Sequence, residues 1–123
     1  MRLRHQLLSL LLAIAACKMS TAPTNGAVTI QDFSFSPTTL TVKVGTTVKW
    51  TNSGPSAHTA TSNTGTWDSG QLSSPTSGGA YGGGSAGGTF QYTFTATGTY
   101  PYHCSNHPPS VYPGFTGTIS VTP

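Results

Sequence analysis

From residue 28 to residue 121 the chain consists of short runs in which apolar and polar residues alternate, each closed by Gly, Pro, Asn or Ser. Side chains of an extended strand point to opposite faces with a period of two, so such runs bury one face and wet the other. Strands are expected over residues 28–35, 40–44, 46–51, 58–62, 90–95, 99–104 and 115–121, with Pro37 and Gly45 as punctuation. Val48 and Trp50 share one face of the third run, and Phe90, Tyr92 and Phe94 share one face of the fifth. Several short strands without helical periodicity predict an all-β antiparallel sandwich. Trp50, Phe33, Phe35, Tyr92 and Phe94 are the expected core; Trp67 also reads first as core, with a partly exposed place beside the site as the alternative. Residues 73–88 are rich in glycine and read as an exposed, flexible loop in which Tyr81 is the one large side chain. The 123 residues leave room for one such domain.

The first residues read differently. Arg2 and Arg4 precede an apolar run over residues 7–16, broken only by Ser9. About 20 apolar residues are needed to span a bilayer, so this run reads as an export signal. It ends in Ile14-Ala15-Ala16-Cys17, which resembles the bacterial lipobox. That resemblance implies a signal peptide over 1–16, a lipid on Cys17, a flexible tether over 17–26 and a folded domain over 27–123. The protein is then exported and anchored to the bacterial membrane, facing the periplasm or the cell exterior. The alternative is an ordinary secretory signal cleaved nearby, leaving Cys17 free.

Charge excludes two classes of function. Once the leader is set aside, Lys18, Lys43 and Lys49 face only Asp32 and Asp68. No basic stripe is present, so no nucleic-acid partner is expected. Two carboxylates supply almost no material for paired acid–base catalysis, and no nucleophile motif supports a Ser/His/Asp triad. The chain is not expected to be an enzyme. Asp68, in Trp67-Asp68-Ser69-Gly70, reads as a turn-former.

Metal chemistry has better material. If Cys17 carries lipid, Cys104 lacks a disulfide partner, and metal ligation is the natural use of a lone thiol in an oxidising compartment. Alone, His58 reads as an ordinary loop histidine and Cys104 as a core thiol. Together with His107 they offer one thiolate and two imidazoles, a His₂Cys set that suits copper. Cys104 and His107 stand three residues apart after a strand, where a turn can aim both at one point. His58 enters from a distant loop, which places the site at one end of the sandwich. His103 alternates to the opposite face and reads as surface.

These residues sit in an ordered set of motifs: Val48-Lys49-Trp50-Thr51-Asn52, His58-Thr59-Ala60-Thr61, Trp67-Asp68-Ser69-Gly70 and Phe90-Gln91-Tyr92-Thr93-Phe94. Gly98-Thr99-Tyr100-Pro101-Tyr102-His103-Cys104-Ser105-Asn106-His107-Pro108 and Gly117-Thr118-Ile119-Ser120-Val121 complete it. The set resembles the cupredoxins, in the branch of plastocyanin, amicyanin and pseudoazurin. The resemblance implies a Greek-key β-sandwich of about seven to eight strands. It further implies one copper ion, cycling between Cu(I) and Cu(II), on the ring nitrogens of His58 and His107 and the sulfur of Cys104. The Thr59 amide is expected to donate to the thiolate. Many members carry Asn there, and Thr reaches fewer partners, so weaker bracing between the ligand loops is expected.

One departure concerns the axial position. Where the family usually places Met, this chain has Phe115-Thr116-Gly117, and beyond the leader its one methionine is Met19. Phe cannot coordinate, which leaves copper three-coordinate or with a weak oxygen near Ala57; a shifted alignment would offer Tyr112 or Ser110 instead. Loss of an axial donor favours Cu(I), so a raised reduction potential is expected. The implied function is one-electron transfer by a monomer to redox partner proteins. Docking is expected through the His107 surface, beside Pro108, Pro109, Val111, Tyr112 and Pro113. The alternatives are a copper-binding chaperone or scavenger, and a structural domain that has kept the fold.

Overall fold

A computed structural model describes residues 25–123. The expectations for the signal peptide, Cys17 and the tether up to residue 24 lie outside the described residues. Eight strands form two four-stranded sheets. The first sheet holds β2 (Ser34–Ser36), β1 (Asn25–Gln31), β4 (Thr47–Asn52) and β6 (Thr89–Thr93), in that order. The second holds β3 (Thr39–Lys43), β8 (Thr116–Thr122), β7 (Gly98–His103) and β5 (Thr61–Ser62). Among the described residues there is no helix long and apolar enough to cross a membrane.

The sandwich expected from the alternation is present, but its sheets are mixed. β1 runs parallel to β4, with Val28 opposite Trp50, and β3 runs parallel to β8, with Leu40 opposite Ile119. The chain crosses between sheets after β2 and returns after β3, so β4 arrives beside β1 in the same direction. A period of two tells which face a residue takes, and it is silent on the direction of the neighbouring strand.

Residues 28–35 also form two strands instead of one. The chain turns back at Asp32-Phe33, and Gln31 pairs with Ser34 across a two-residue connection. Alternation falters at this point, and Asp is a residue that favours turns. The turn carries Phe33 out of the expected core: it is 40% exposed, at the same end of the sandwich as His58. β1 itself begins at Asn25, two residues inside the segment assigned to the tether.

The core between the sheets contains Val28, Ile30, Phe35, Val48, Trp50, Phe94, Tyr102, Ile119 and Val121, and Trp67 is fully part of it. Trp50 lies 5.6 Å from Trp67 and 5.6 Å from Tyr102, ring centre to ring centre. Three polar atoms in this packing, Trp50 Nε1, Trp67 Nε1 and Tyr102 Oη, have no hydrogen-bond partner. Burial pushes the Tyr102 hydroxyl up to about 12, with the nearby Trp50 indole acting weakly the other way. Gly117, the second residue of β8, faces the Tyr102 ring so closely that a Cβ there would overlap it.

The glycine-rich segment is more regular than a flexible loop. Thr76 bridges to Ser85 and Gly79 to Gly82, making a narrow hairpin whose tip carries a fully exposed Tyr81.

Candidate metal centre

Three connections converge at the end of the sandwich where β1, β4 and β7 finish. Asn52, the last residue of β4, is fully buried and each of its polar atoms is used. Its Nδ2 donates to the Ser56 and Leu72 carbonyls at 2.8 and 2.9 Å, and its Oδ1 accepts from the Gly54 amide at 3.0 Å. This fixes the short loop that delivers His58, which is also bridged to Leu72 through both backbone groups. Cys104 follows directly on β7, and the turn after it returns His107 to the same point.

The structure therefore brings His58, Cys104 and His107 together. The Cys104 Sγ lies 3.8 Å from His58 Nδ1 and 3.6 Å from His107 Nδ1, and the two Nδ1 atoms are 3.2 Å apart. The centre of a triangle with such edges, edge over √3, is about 2 Å from each corner, which is metal–nitrogen bond length. Two imidazoles and a thiol at this spacing fit a copper ion. His58 and Cys104 are fully buried, and His107 is half-buried.

The surrounding hydrogen bonds hold the ligand segments to each other. The Thr59 amide donates to Cys104 Sγ at 3.3 Å. The Thr59 hydroxyl accepts from the Ser105 amide at 2.8 Å and pairs with the Thr61 hydroxyl at 2.8 Å. Thr61 in turn accepts from the Ser105 hydroxyl and donates to Asp68. Thr59 thus braces the two ligand loops by itself, contrary to the weaker bracing expected, because Ser105 comes within reach of its short side chain. A second brace joins Asn106 and Gln71, whose amides exchange hydrogen bonds at 2.7 and 2.8 Å. The Ala57 carbonyl, considered as a weak oxygen donor, accepts from Asn106 Nδ2 at 3.1 Å.

Phe115 is fully buried beside the three donors. Its ring stands perpendicular to that of His58 at 5.0 Å and lies 6.0 Å from that of His107. Phe35 packs behind it at 4.7 Å. The ring closes this side of the cluster with hydrocarbon. Tyr112 turns its ring toward others: it stacks on Phe33 at 4.4 Å and meets the His107 ring edge-on at 5.0 Å, while Ser110 is exposed. Phe33, Tyr112 and the exposed Pro108, Pro109, Val111 and Pro113 surround His107 with apolar surface. His103 points away from the cluster and meets Asn63 Oδ1 through its Nδ1 at 2.6 Å.

Two contributors were not legible as site residues. The alternation assigns Phe33 to the core and gives Asp32 no role beyond its charge. His58 Nε2 meets Asp32 Oδ1 at 2.5 Å, and Ser56 donates to the same carboxylate from its amide and its hydroxyl. Desolvation pushes the Asp32 carboxyl up, but the bonds from Ser56 and His58 outweigh it and hold its pKa below the ordinary 3.8. The signal available in the sequence was scarcity: a domain with two carboxylates places one of them beside a buried histidine.

Comparison with known proteins agrees with this centre. The family model of copper binding proteins, plastocyanin/azurin family, matches residues 22–122. A structure described as a novel purple cupredoxin from Nitrosopumilus maritimus is similar at a TM-score of 0.58 and 25% identity, covering 79% of this chain and 99% of that one. A reduced amicyanin variant is similar at a TM-score of 0.56 and 28% identity, covering 80% and 82%. A copper-containing nitrite reductase from Thermus scotoductus shares the fold at a TM-score of 0.61 and 24% identity, with 83% of this chain matching 23% of that one. No curated protein sequence matches significantly.

Proposed function

Because the chain belongs to the plastocyanin/azurin family of copper-binding proteins, we propose that it transfers single electrons through one copper held by His58 Nδ1, Cys104 Sγ and His107 Nδ1. The observation that carries this reading is the convergence of those three atoms, 3.2 to 3.8 Å apart, in a packed end of the sandwich. Copper, when bound, supplies the one-electron redox change. The chain supplies the rest. The Thr59 amide and the braces at Thr59–Ser105 and Asn106–Gln71 hold the donors in place, so that little has to move when the charge of the site changes. Burial of His58 and Cys104 excludes water. His107 alone reaches the surface, and its apolar surroundings suit brief contact with a redox partner protein.

Burial also favours this reading over copper delivery. A chaperone passes its metal by ligand exchange, which needs an approach for the incoming ligand. Here two of the three donors are fully buried and Phe115 closes one side. The hydrocarbon cap supports a raised reduction potential, since the oxidised ion gains more from a fourth donor. Phe115→Met should lower the potential by about 60 mV or more, roughly a tenfold change in the ratio of Cu(II) to Cu(I) affinity; an unchanged or higher value would remove the axial role of Phe115. The leader and Cys17 support export and a lipid anchor, and mass spectrometry of the mature N-terminus tests this, with an unmodified terminus counting against the anchor.

The first experiment adds Cu(II) to the full chain and records its visible absorption beside that of Cys104→Ser. An intense thiolate-to-copper band, lost in the variant, is expected. No band together with tight Cu(I) binding would turn the reading to copper handling, and no binding of either ion would leave a structural domain.

A further inference from the structure

Asp32 and Asp68 are the two carboxylic side chains of the described residues, and they do different work. Asp68 acts as a turn residue, accepting from the Gly70 amide two positions on at 2.9 Å. Asp32 also sits in a turn, yet its hydrogen bonds all leave that turn. Its Oδ1 meets His58 Nε2 at 2.5 Å and the Ser56 amide at 3.3 Å, and its Oδ2 takes the Ser56 hydroxyl at 2.8 Å. No lysine among the described residues is within ion-pair range of it. The loop leaves space for this arrangement at Gly54, where a Cβ would stand 2.7 Å from Asp32 Oδ1 and 2.8 Å from Asp32 N.

His58 is fully buried, and both of its ring nitrogens are engaged. With a carboxylate facing Nε2, the proton of the neutral ring belongs on Nε2, and Nδ1 turns a lone pair toward Cys104 and His107. A carboxylate on the far side of a ligating imidazole also makes that ring a stronger donor, and such partners commonly alter metal affinity by about 10–100-fold when removed. A stronger donor favours the oxidised ion, the opposite direction to Phe115.

We propose that Asp32 is a positioning residue of this centre, fixing His58 in its Nε2-protonated form and, through the ring, favouring Cu(II) over Cu(I). The second half rests on the copper reading above; the first half concerns the chain without metal.

The test uses the full chain and three variants. Asp32→Asn keeps the shape and one acceptor but removes the charge, Asp32→Ala removes both, and Gln91→Lys makes an equal change of net charge at an exposed position of β6, outside the centre. Nitrogen-15 NMR of the copper-free proteins reads the His58 tautomer, and chelator competition reads the ratio of Cu(II) to Cu(I) affinity. The wild type and Asp32→Asn should hold the Nε2-protonated ring, and Asp32→Ala should show a mixture. Asp32→Asn should shift the affinity ratio about tenfold toward Cu(I), equivalent to ~59 mV, and Gln91→Lys should shift it far less. A single Nε2-protonated ring in Asp32→Ala would overturn the positioning role. A ratio within about twofold of wild type in Asp32→Asn, or an equal shift in Gln91→Lys, would overturn the tuning role. Should Asp32→Ala fail to fold, Asp32→Leu, close in shape and without an acceptor, takes its place: a mixture of tautomers supports positioning and a single Nε2-protonated ring overturns it. A wild type without a thiolate-to-copper band would instead strike the copper reading, and the tautomer would then decide the Asp32 contact alone.

Discussion

Replacing Thr59 by Val keeps the volume and branching of the side chain and removes only its oxygen. Thr59 is 3% exposed, so water cannot substitute readily for what is lost. The Ser105 amide loses its acceptor at 2.8 Å, and the Thr61 hydroxyl loses a partner at 2.8 Å. An orphaned buried donor costs about 1–3 kcal/mol, and Ser105 is partly wetted, so the low end applies to it. Adding the smaller loss at Thr61 gives a destabilisation of about 2 kcal/mol. Thr59→Ser does the reverse: it keeps the oxygen and deletes one buried methyl, at about 1 kcal/mol. Urea denaturation of the copper-free proteins should rank wild type above Thr59→Ser, and Thr59→Ser above Thr59→Val. With a slope near 2 kcal/mol per molar, the Val midpoint should fall by about 1 M. The loaded Val variant should also lose copper faster, because the Ser105 end of the ligand turn keeps only its hydroxyl bond to Thr61. A Val variant as stable as the Ser variant, with unchanged copper retention, would refute the hydroxyl brace.

Gly117→Ala places a Cβ against the buried Tyr102 ring, in a strand held on both sides by β3 and β7. The expected cost is about 1–3 kcal/mol, read as a lower urea midpoint, and Tyr102→Leu in the same chain should recover part of it; a harmless Gly117→Ala would show that the sheets yield there. Alkaline pH gives the third prediction. Tyr102 holds its proton to about 12 in the folded chain against an ordinary 10.0, so the unfolded chain ionises first. The contribution is complete below pH 10, and stability then falls by about 1.4 kcal/mol per pH unit until the folded group also ionises. Tyr102→Phe should lack that slope, and equal slopes in the two proteins would count against the buried hydroxyl as its source.

The donors His58, Cys104 and His107 were legible because each sits in a motif whose order along the chain survives folding. The place of Phe115 beside them was legible too, from its position before Gly117 and the last strand. Asp32 was not. Its contact with His58 spans 26 positions and depends on a hairpin that the faltering alternation of residues 31–35 only hints at. Phe33 followed it into error, since an aromatic residue in a strand-like run is ordinarily core, and here the run breaks immediately before it. The parallel pairs β1–β4 and β3–β8 were hidden for a different reason: alternation assigns faces, whereas strand direction follows from which sheet each connection crosses to. Residues 76–85 show the same limit from the other side, because backbone bridges between glycines leave no mark in side-chain pattern.

β1 runs from Asn25, opposite Thr47, to Gln31, beside the turn that carries Asp32. Seven residues of strand span about 20 Å, which is most of the height of the sandwich. The domain therefore has two poles, with the chain entering at one and the histidine edge lying at the other. Anything that holds the protein through residues ahead of Asn25 grips it by the pole remote from His107. A membrane anchor there, as proposed for Cys17, would put lipid beneath the domain and leave the face around His107 pointing away from it.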